Sequence, residues 1–122
     1  MSTTCLIGYV NKETEAVRYI YIHCDGYPSH IAPLLKNIYN TYEKMIDLVS
    51  RGGARNLAEV YEDMDFYRSE DKEDYLAYPL VCKNEEVFFD KKEVNYGASY
   101  KYLFVDGIWV MQCTFSDIIE LY

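Results

Sequence analysis

Apolar and polar residues alternate along two segments near the start of the chain, and this alternation predicts two β-strands. Residues 4–10 and residues 16–24 are rich in isoleucine, valine and tyrosine, and the polar residues 11–15 separate them. Two such runs around a short polar turn are typical of a β-hairpin. Because side chains alternate along a strand, Arg18 and His23 lie on opposite faces of the second one.

A broad apolar stripe follows the turn signal Asp-Gly-Tyr-Pro at residues 25–28. From about Ser29 to Val49, apolar residues recur at helical spacing, which predicts one long amphipathic helix. Pro33 then lies near the first turn, where a missing amide costs least. The pair Gly52-Gly53 ends the helix, because glycine readily adopts the backbone conformation of a helix C-terminus.

The most specific local pattern lies near the C-terminus, where Asp106-Gly107 separates two runs of β-branched and aromatic residues. An Asp-Gly pair in this position is the strongest short-range hairpin signal. A two-residue turn sets the register of the pairs, which are Val105 with Ile108, Phe104 with Trp109 and Tyr102 with Met111. Both faces of this hairpin are apolar near the turn, so both need cover. The long helix covers one face, and we expect a second copy of the chain to cover the other, which predicts a homo-oligomer.

The remaining segments have weaker patterns. Residues 56–63 and 115–122 are compatible with short helices, and residues 75–82 and 86–90 with short strands. The order of elements predicts one α+β ligand-binding domain over residues 1–122. We expect an antiparallel sheet of hairpins packed on one long amphipathic helix, with oligomer interfaces.

The excess of acidic over basic residues limits which kinds of partner the protein is expected to bind. Twenty acidic residues against twelve basic ones give a net charge of −8, which argues against a generic DNA or RNA binder. A small anionic ligand stays compatible, because it needs only a local field from a few arginines and backbone amides. Residues 59–74 hold eight acids and two bases. They form either a solvated surface or a surface that binds a nucleic-acid-binding enzyme.

Cysteine spacing argues against a metal site, and hydropathy argues against a membrane-spanning segment. The four cysteines are scattered, without a C-x-x-C pair or a clustered histidine, so we expect no metal site and no cofactor. No signal peptide opens the chain, and no apolar run is long enough to span a membrane. These features predict a cytosolic protein with reduced thiols.

The chain carries no known catalytic signature, such as G-x-S-x-G, a P-loop or H-E-x-x-H. At the end of the second predicted strand, His23 and Asp25 are spaced so that both side chains could enter one pocket as an acid–base pair. The alternative is a turn in which Asp25 bonds backbone amides. Because a hydrolase normally needs a nucleophile, a metal or an oxyanion site as well, we expect a protein without enzymatic activity.

Ligand binding is the better-supported class of function, because aromatic rings hold bases while arginines and helix N-termini hold phosphates. The turn at residues 51–55 places two arginines around Gly-Gly, although cations at a helix C-terminus also favour its dipole. The loop at residues 95–99 is either a ligand contact or a plain connection. The candidate ligand-binding residues are Arg18, His23, Asp25, Tyr27, Arg51, Arg55, Asn95, Tyr96, Ser99 and Tyr100.

The first third of the chain resembles a known family of phage proteins. The segments that carry the resemblance are Ile7-Gly8, Asn11, Val17–Ile22, His23, Asp25–Pro28 and the apolar helix after them. They are similar to the opening of the first Thoeris anti-defence family, over roughly residues 4–38. Cys24 departs from the pattern, because similar proteins usually have an aromatic residue there, and this puts a stacking role at that position in doubt.

The resemblance implies a function in phage anti-defence. Family members are small oligomers that bind cyclic ADP-ribose isomers made by TIR-domain defence enzymes, and some also bind cyclic oligonucleotides. The ligand binds at subunit interfaces and stays intact. On this basis His23 and Asp25 bond polar edges of the ligand. Arg51 and Arg55 hold its phosphates, while Tyr96 or Tyr100 stacks.

Two other classes of function stay open at this point. One is an acidic inhibitor of anti-CRISPR or anti-restriction type, which binds a host defence protein through residues 59–74. The other is an enzyme that acts on cyclic nucleotides through His23 and Asp25.

Overall fold

A six-stranded sheet lies at the centre of the protein. The computed structural model describes residues 3–68, 74–113 and 118–121. The elements, in chain order, are β1 (Cys5–Val10), β2 (Val17–Ile22), α1 (Pro28–Asn37), α2 (Tyr42–Ser50), β3 (Leu80–Cys82), α3 (Glu85–Phe89), β4 (Tyr100–Val105), β5 (Ile108–Cys113) and β6 (Ile118–Glu120). Short 3-10 helical turns lie at Tyr61–Asp63 and Asp74–Ala77.

The strands follow the order β3-β2-β1-β4-β5-β6 across the sheet. Both predicted hairpins are confirmed, since β1 pairs with β2 and β4 pairs with β5. The second hairpin has the predicted register, with Val105 opposite Ile108 and Phe104 opposite Trp109. The prediction of a wholly antiparallel sheet is wrong, because β1 and β4 run parallel where the two hairpins meet. Strand β2 returns the chain to the end of the sheet where β1 begins, and the segment after β2 leads from that same end to the start of β4.

The predicted single long helix is also wrong. The chain forms two shorter helices, α1 and α2, with a break at residues 38–41. Tyr39 explains the break, because both of its oxygens bond to distant partners. Its hydroxyl donates to the Ala58 carbonyl at 2.7 Å, and its backbone carbonyl accepts from Trp109 Nε1 at 3.1 Å. Thr41 then caps α2 by accepting from the Lys44 amide at 3.2 Å.

The chain itself covers the two faces of this hairpin to different extents. Helices α1 and α2 pack on one face of the sheet, where Tyr102 is fully buried. Helix α3 and the segments around Tyr67 and Leu76 pack on the other face, where Leu103 is fully buried. Toward the turn this second face stays open, since Ile108 is 44% exposed. Cover by a second copy, and with it the homo-oligomer, therefore stays a prediction.

The predictions for the short segments are mostly wrong, because these segments have no clear periodicity of apolar residues. Of residues 86–90, the first four belong to helix α3, which Asn84 caps by accepting from the Val87 amide at 2.9 Å. Residues 118–120 form strand β6 instead of a helix, and residues 115–117 and 122 lie outside the described part of the chain. Residues 56–63 are helical only in their last three residues, and residues 75–82 are a strand only in β3. Among the described residues, no helix is long and apolar enough to cross a membrane.

Candidate functional site

Two strand ends that carry candidate residues, the end of β2 and the start of β4, lie on either side of the start of β1 at one end of the sheet. Strand β1 lies between β2 and β4, antiparallel to the first and parallel to the second. Its first residues therefore adjoin the end of β2 and the start of β4. Continuing both registers by one residue places Thr4 between His23 and Ser99, on one face of the sheet. The Ser99 amide donates to the Thr4 carbonyl at 3.0 Å, which fits this placement.

His23 belongs to a connected group of side chains, which we call the sheet-end cluster: Tyr21, His23, Arg55 and Tyr67. The Tyr21 hydroxyl and His23 Nδ1 are 3.0 Å apart, within hydrogen-bond distance. The Tyr21 and Tyr67 ring centroids are 6.2 Å apart, and the Arg55 guanidinium lies 4.6 Å from the Tyr67 centroid. Both tyrosines are buried, whereas His23 is partly exposed and the Arg55 side chain is 44% exposed. The rings thus support an imidazole and a guanidinium at the surface.

Backbone hydrogen bonds hold Arg55 beside the end of β2. The Cys24 amide donates to the Arg55 carbonyl at 2.7 Å, and the His23 amide donates to the Ala54 carbonyl at 3.2 Å. On the other side, the Arg55 guanidinium and the Asp65 carboxylate form an exposed ion pair at 3.5 Å. Exposed ion pairs contribute little, so an anion that binds Arg55 would lose little by competing with Asp65.

Asp25 and Tyr27 follow His23 in a turn that is pinned against the start of β1. The Gly26 amide donates to the Thr3 carbonyl at 2.8 Å, and the Gly26 carbonyl accepts from the buried Tyr102 hydroxyl at 2.8 Å. Burial raises the pKa of Tyr102, which keeps this hydroxyl protonated and able to donate. A Cβ at Gly26 would lie 2.9 Å from the backbone of β1, which requires glycine here. Asp25 has a left-handed φ of 57°, and Tyr27, just before α1, is 39% exposed.

The loop that carries Asn95 and Tyr96 is attached to the same end of the sheet. The Thr4 hydroxyl donates to the Gly97 carbonyl at 2.8 Å. The Asn95 side-chain oxygen accepts from the Gly97 amide at 2.8 Å, so this side chain stabilises its own loop. Tyr96 has a φ of 52°, which is uncommon for a bulky residue, and its ring centroid lies 6.2 Å from that of Tyr19.

Of the ten predicted residues, only His23 and Arg55 belong to the sheet-end cluster, and three others lie well away from it. Tyr100 starts β4 on the opposite face of the sheet, packed against the core under α1 and α2. Arg18 lies five positions before His23 and on the other face, about 17 Å away at the rise of an extended strand. Arg51 lies over the Tyr61 ring, with its guanidinium carbon 3.7 Å from the ring centroid.

The Gly52-Gly53 turn is not an open phosphate loop, because carbonyl groups of the protein already bind its amides. The Gly52 amide donates to the Val49 carbonyl at 3.0 Å, and the Gly53 amide donates to the Leu76 carbonyl at 2.8 Å. Gly52 has a φ of 85°, and a Cβ there would overlap the Ala77 carbonyl. The turn therefore needs glycine for close packing, and its two arginines point to different tyrosines.

The hydrogen-bond partner of His23 is Tyr21, and no hydrogen bond joins His23 to Asp25 within residues 3–68. The acid–base pair that their spacing suggested is thus not formed in this structure. In the part of the chain that the structure describes, no group of three or more histidine, cysteine, aspartate or glutamate residues could hold a metal ion.

Sequence reasoning missed Tyr21 and Tyr67 as members of the cluster. Alternation along β2 places Tyr21 on the same face as His23, so that signal was present in the sequence. Tyr67 lies within the acidic segment of residues 59–74 and reaches the cluster because its amide donates to the Gly53 carbonyl at 3.0 Å. No local pattern reveals such a contact between separate segments.

In comparisons with known proteins, no family model, no curated protein and no solved structure matches this chain.

Proposed function

We propose that this protein is a phage anti-defence sponge that binds an anionic cyclic nucleotide signal at the sheet end and holds it intact. The ligand class is that of cyclic ADP-ribose isomers, with cyclic oligonucleotides as the second class to test. The site of action is the cytosol of the bacterial host. The resemblance of residues 4–38 to an anti-defence family supports this choice of ligand.

The main support for the proposal is that Arg55 and His23 are surface groups held in place by contacts with the buried residues Tyr67 and Tyr21. A guanidinium that lies over an aromatic ring loses little conformational entropy when it binds a ligand, and its planar set of N–H donors matches the oxygens of a phosphate. The imidazole adds a second hydrogen-bonding group next to it. Arg55 supplies the local positive charge that an anion needs in a protein of net charge −8, once the anion replaces Asp65 as its partner.

We include Tyr27 and Ser99 in the proposed ligand surface as further contacts. The Tyr27 ring is exposed at the start of α1 and offers a flat face for a base. Ser99 lies in register with Thr4 and His23 at the same sheet end. In a single chain these groups form an open surface, so a second copy would complete the enclosure in a homo-oligomer, as the resemblance implies.

A sponge acts by stoichiometry and must bind tightly. Sub-micromolar affinity corresponds to more than about 8 kcal/mol, which a buried site with several polar contacts can supply. The decisive experiment is calorimetric titration with a panel of cyclic ADP-ribose isomers and cyclic oligonucleotides, followed by denaturation and mass spectrometry of the released ligand. We expect tight binding of at least one member and release of the unchanged ligand.

The chain offers a matched pair of variants for this experiment. Arg55→Gln removes the guanidinium of the cluster, whereas Arg18→Gln removes the same group from an exposed position outside it. We expect Arg55→Gln to weaken binding at least about tenfold, or about 1.4 kcal/mol, and Arg18→Gln to leave it unchanged. Equal losses in both variants would exclude the sheet-end cluster as the site. An altered ligand after release would make the protein an enzyme, and no binding to any panel member would refute the proposal.

A further inference from the structure

A cleft of about 430 Å³ lies between α2 and the segment at residues 59–62, which is the start of the acidic stretch. Its volume is within the range of sites that hold a small ligand or a few side chains of a partner. We call it the acidic cleft. Its apolar floor consists of Ile38, Val60 and Tyr61, and its rim carries Glu43, Glu59 and Glu62.

The floor of the acidic cleft is apolar, partly exposed and fixed. Val60 is 48% exposed, although it is a β-branched apolar residue next to three acids. The Tyr61 ring is held on one side by the Arg51 guanidinium, 3.7 Å from its centroid. The Tyr61 hydroxyl donates to the Asp47 carboxylate at 2.7 Å, and Arg51 also pairs with Asp47 at 3.7 Å. A preorganised apolar floor favours a partner that buries apolar side chains.

The rim of the acidic cleft has an uncompensated negative charge. Lys44 is the one basic residue among those that line the cleft, against Glu43, Glu59 and Glu62 together with Asp47. Asp47 has its own cation in Arg51. Within the described ranges, no ion pair joins any of the three rim glutamates to a cation. A cationic partner would relieve their mutual repulsion, whereas a nucleic acid or an anionic ligand would increase it.

We propose that the acidic cleft is a docking site for a cationic, amphipathic peptide segment of a partner protein. The floor takes the apolar side chains of that segment, and the rim pairs with its arginines or lysines. Exposed ion pairs contribute little alone, so the apolar contact is required for affinity, and the charges supply orientation and selectivity. This surface does not include the sheet-end cluster, so the inference does not depend on the proposed nucleotide site.

The test uses fluorescence anisotropy with the full chain and three short labelled peptides. The first alternates arginine with leucine, the second replaces each arginine by glutamate, and the third replaces each leucine by serine. We expect saturable one-to-one binding of the first peptide only, and weaker binding when sodium chloride is raised from about 50 mM to about 300 mM, because salt screens the rim charges. Failure of the first peptide to bind would overturn the proposal.

Two triple variants separate the acidic cleft from the overall negative charge. The first variant is Glu43→Gln with Glu59→Gln and Glu62→Gln, at the rim. The matched control is Glu13→Gln with Glu86→Gln and Glu93→Gln, at exposed positions outside the cleft, so the net charge of both proteins is the same.

We expect the rim variant to lose at least about fivefold in affinity for the arginine–leucine peptide, while the control keeps it. Val60→Asn, on the exposed part of the floor, should cause a similar loss. Equal losses in the rim variant and the control would show that the peptide binds only through net charge, and would refute a site in the cleft. Unchanged affinity of Val60→Asn would equally refute the role of the floor.

Discussion

Lys101 is a buried cation in β4 that links the sheet to the segment after α3. The residue is only 5% exposed. Its ammonium donates to the Phe88 carbonyl at 2.7 Å and to the Val94 carbonyl at 2.5 Å. Burial lowers the pKa of Lys101 from its ordinary value of 10.5 to about 8. We therefore expect two changes at this residue, deprotonation and Lys101→Met, to have opposite effects on stability.

Deprotonation should stabilise the fold. The neutral amine still has two N–H groups for the two carbonyls, but it no longer carries the desolvation cost of a buried charge. Between pH 8 and 10.5 the unfolded chain holds more protons at this residue than the folded chain, so the free energy of unfolding rises with pH. The difference of 10.5 minus about 8 corresponds to at most about 3.4 kcal/mol, at about 1.36 kcal/mol per pKa unit. The two carbonyls bind the ammonium more strongly than the amine, which reduces this gain in unfolding free energy. Only part of the gain is reached below pH 9, so we expect about 1 kcal/mol between about pH 7 and about pH 9.

Lys101→Met should destabilise the fold, because it leaves two buried carbonyls without a donor. Each buried carbonyl without a donor lowers the free energy of unfolding by about 1–3 kcal/mol. Removal of the buried charge and burial of the apolar methionine offset part of this loss, so we expect a net destabilisation of about 2 kcal/mol at neutral pH. Urea titration measures this directly, with the fluorescence of the single, buried Trp109 as the probe. Lys83→Met, at an exposed lysine, is the control, and we expect it to match the unchanged protein at each pH.

The quantity to follow is the difference in unfolding free energy between the unchanged protein and Lys101→Met. Burial raises the pKa of Cys5 and Cys82, so both proteins lose stability as pH rises through the thiol range, and the difference largely removes this shared effect. We expect the difference to grow by about 1 kcal/mol from about pH 7 to about pH 9. A constant difference would refute the lowered pKa of Lys101, and a more stable methionine variant at neutral pH would refute the need for a donor at the two carbonyls.

Two further substitutions test the geometry around the sheet end and the helix break. Gly26→Ala should destabilise the protein by about 1–3 kcal/mol, because the new Cβ would lie 2.9 Å from the backbone of β1. Gly107→Asn, where no atom lies within 4 Å, should cost less in the same thermal-unfolding assay, because only the left-handed φ of 83° opposes a side chain there and asparagine tolerates such a φ. An equal loss in both variants would contradict the contact argument. Thr41→Ala should cost about 1 kcal/mol through the lost cap of α2, while Thr41→Ser keeps the hydroxyl and should be close to neutral in urea titration. A loss of equal size in the serine variant would show that the methyl group, and not the cap, is responsible.

The sequence predicted the two hairpins because their determinants are local. Asp106 and Gly107 have left-handed φ values of 51° and 83°, as a two-residue hairpin turn requires, and this turn fixes the register of β4 and β5. The parallel pairing of β1 with β4 has no such local signal, because it joins segments about ninety residues apart. The sheet was therefore predicted as antiparallel, although both of its hairpins were correct.

The division of the predicted long helix also has a non-local cause. An apolar stripe at helical spacing runs through residues 29–49, and it continues because α1 and α2 pack on the same face of the sheet. The break depends on Tyr39, whose hydroxyl and carbonyl bond to Ala58 and Trp109. Helical periodicity indicates which face of a segment is buried. It does not indicate that a backbone carbonyl accepts a hydrogen bond from a distant indole.

The two arginines around Gly52-Gly53 illustrate the same limit at the candidate site, since the sequence suggested that both hold one anion. In the structure the glycine pair is packed under Leu76 and Ala77, and this close packing fixes the direction in which the chain leaves α2. Arg51 stays at the end of α2 over Tyr61, beside the acidic cleft, whereas Arg55 lies over Tyr67 in the sheet-end cluster. Each guanidinium is thus oriented by a tyrosine ring that only tertiary packing brings near it. One short turn therefore separates the surface that we propose for an anion from the surface that we propose for a cationic peptide, and variants at the two surfaces can be compared in the same protein.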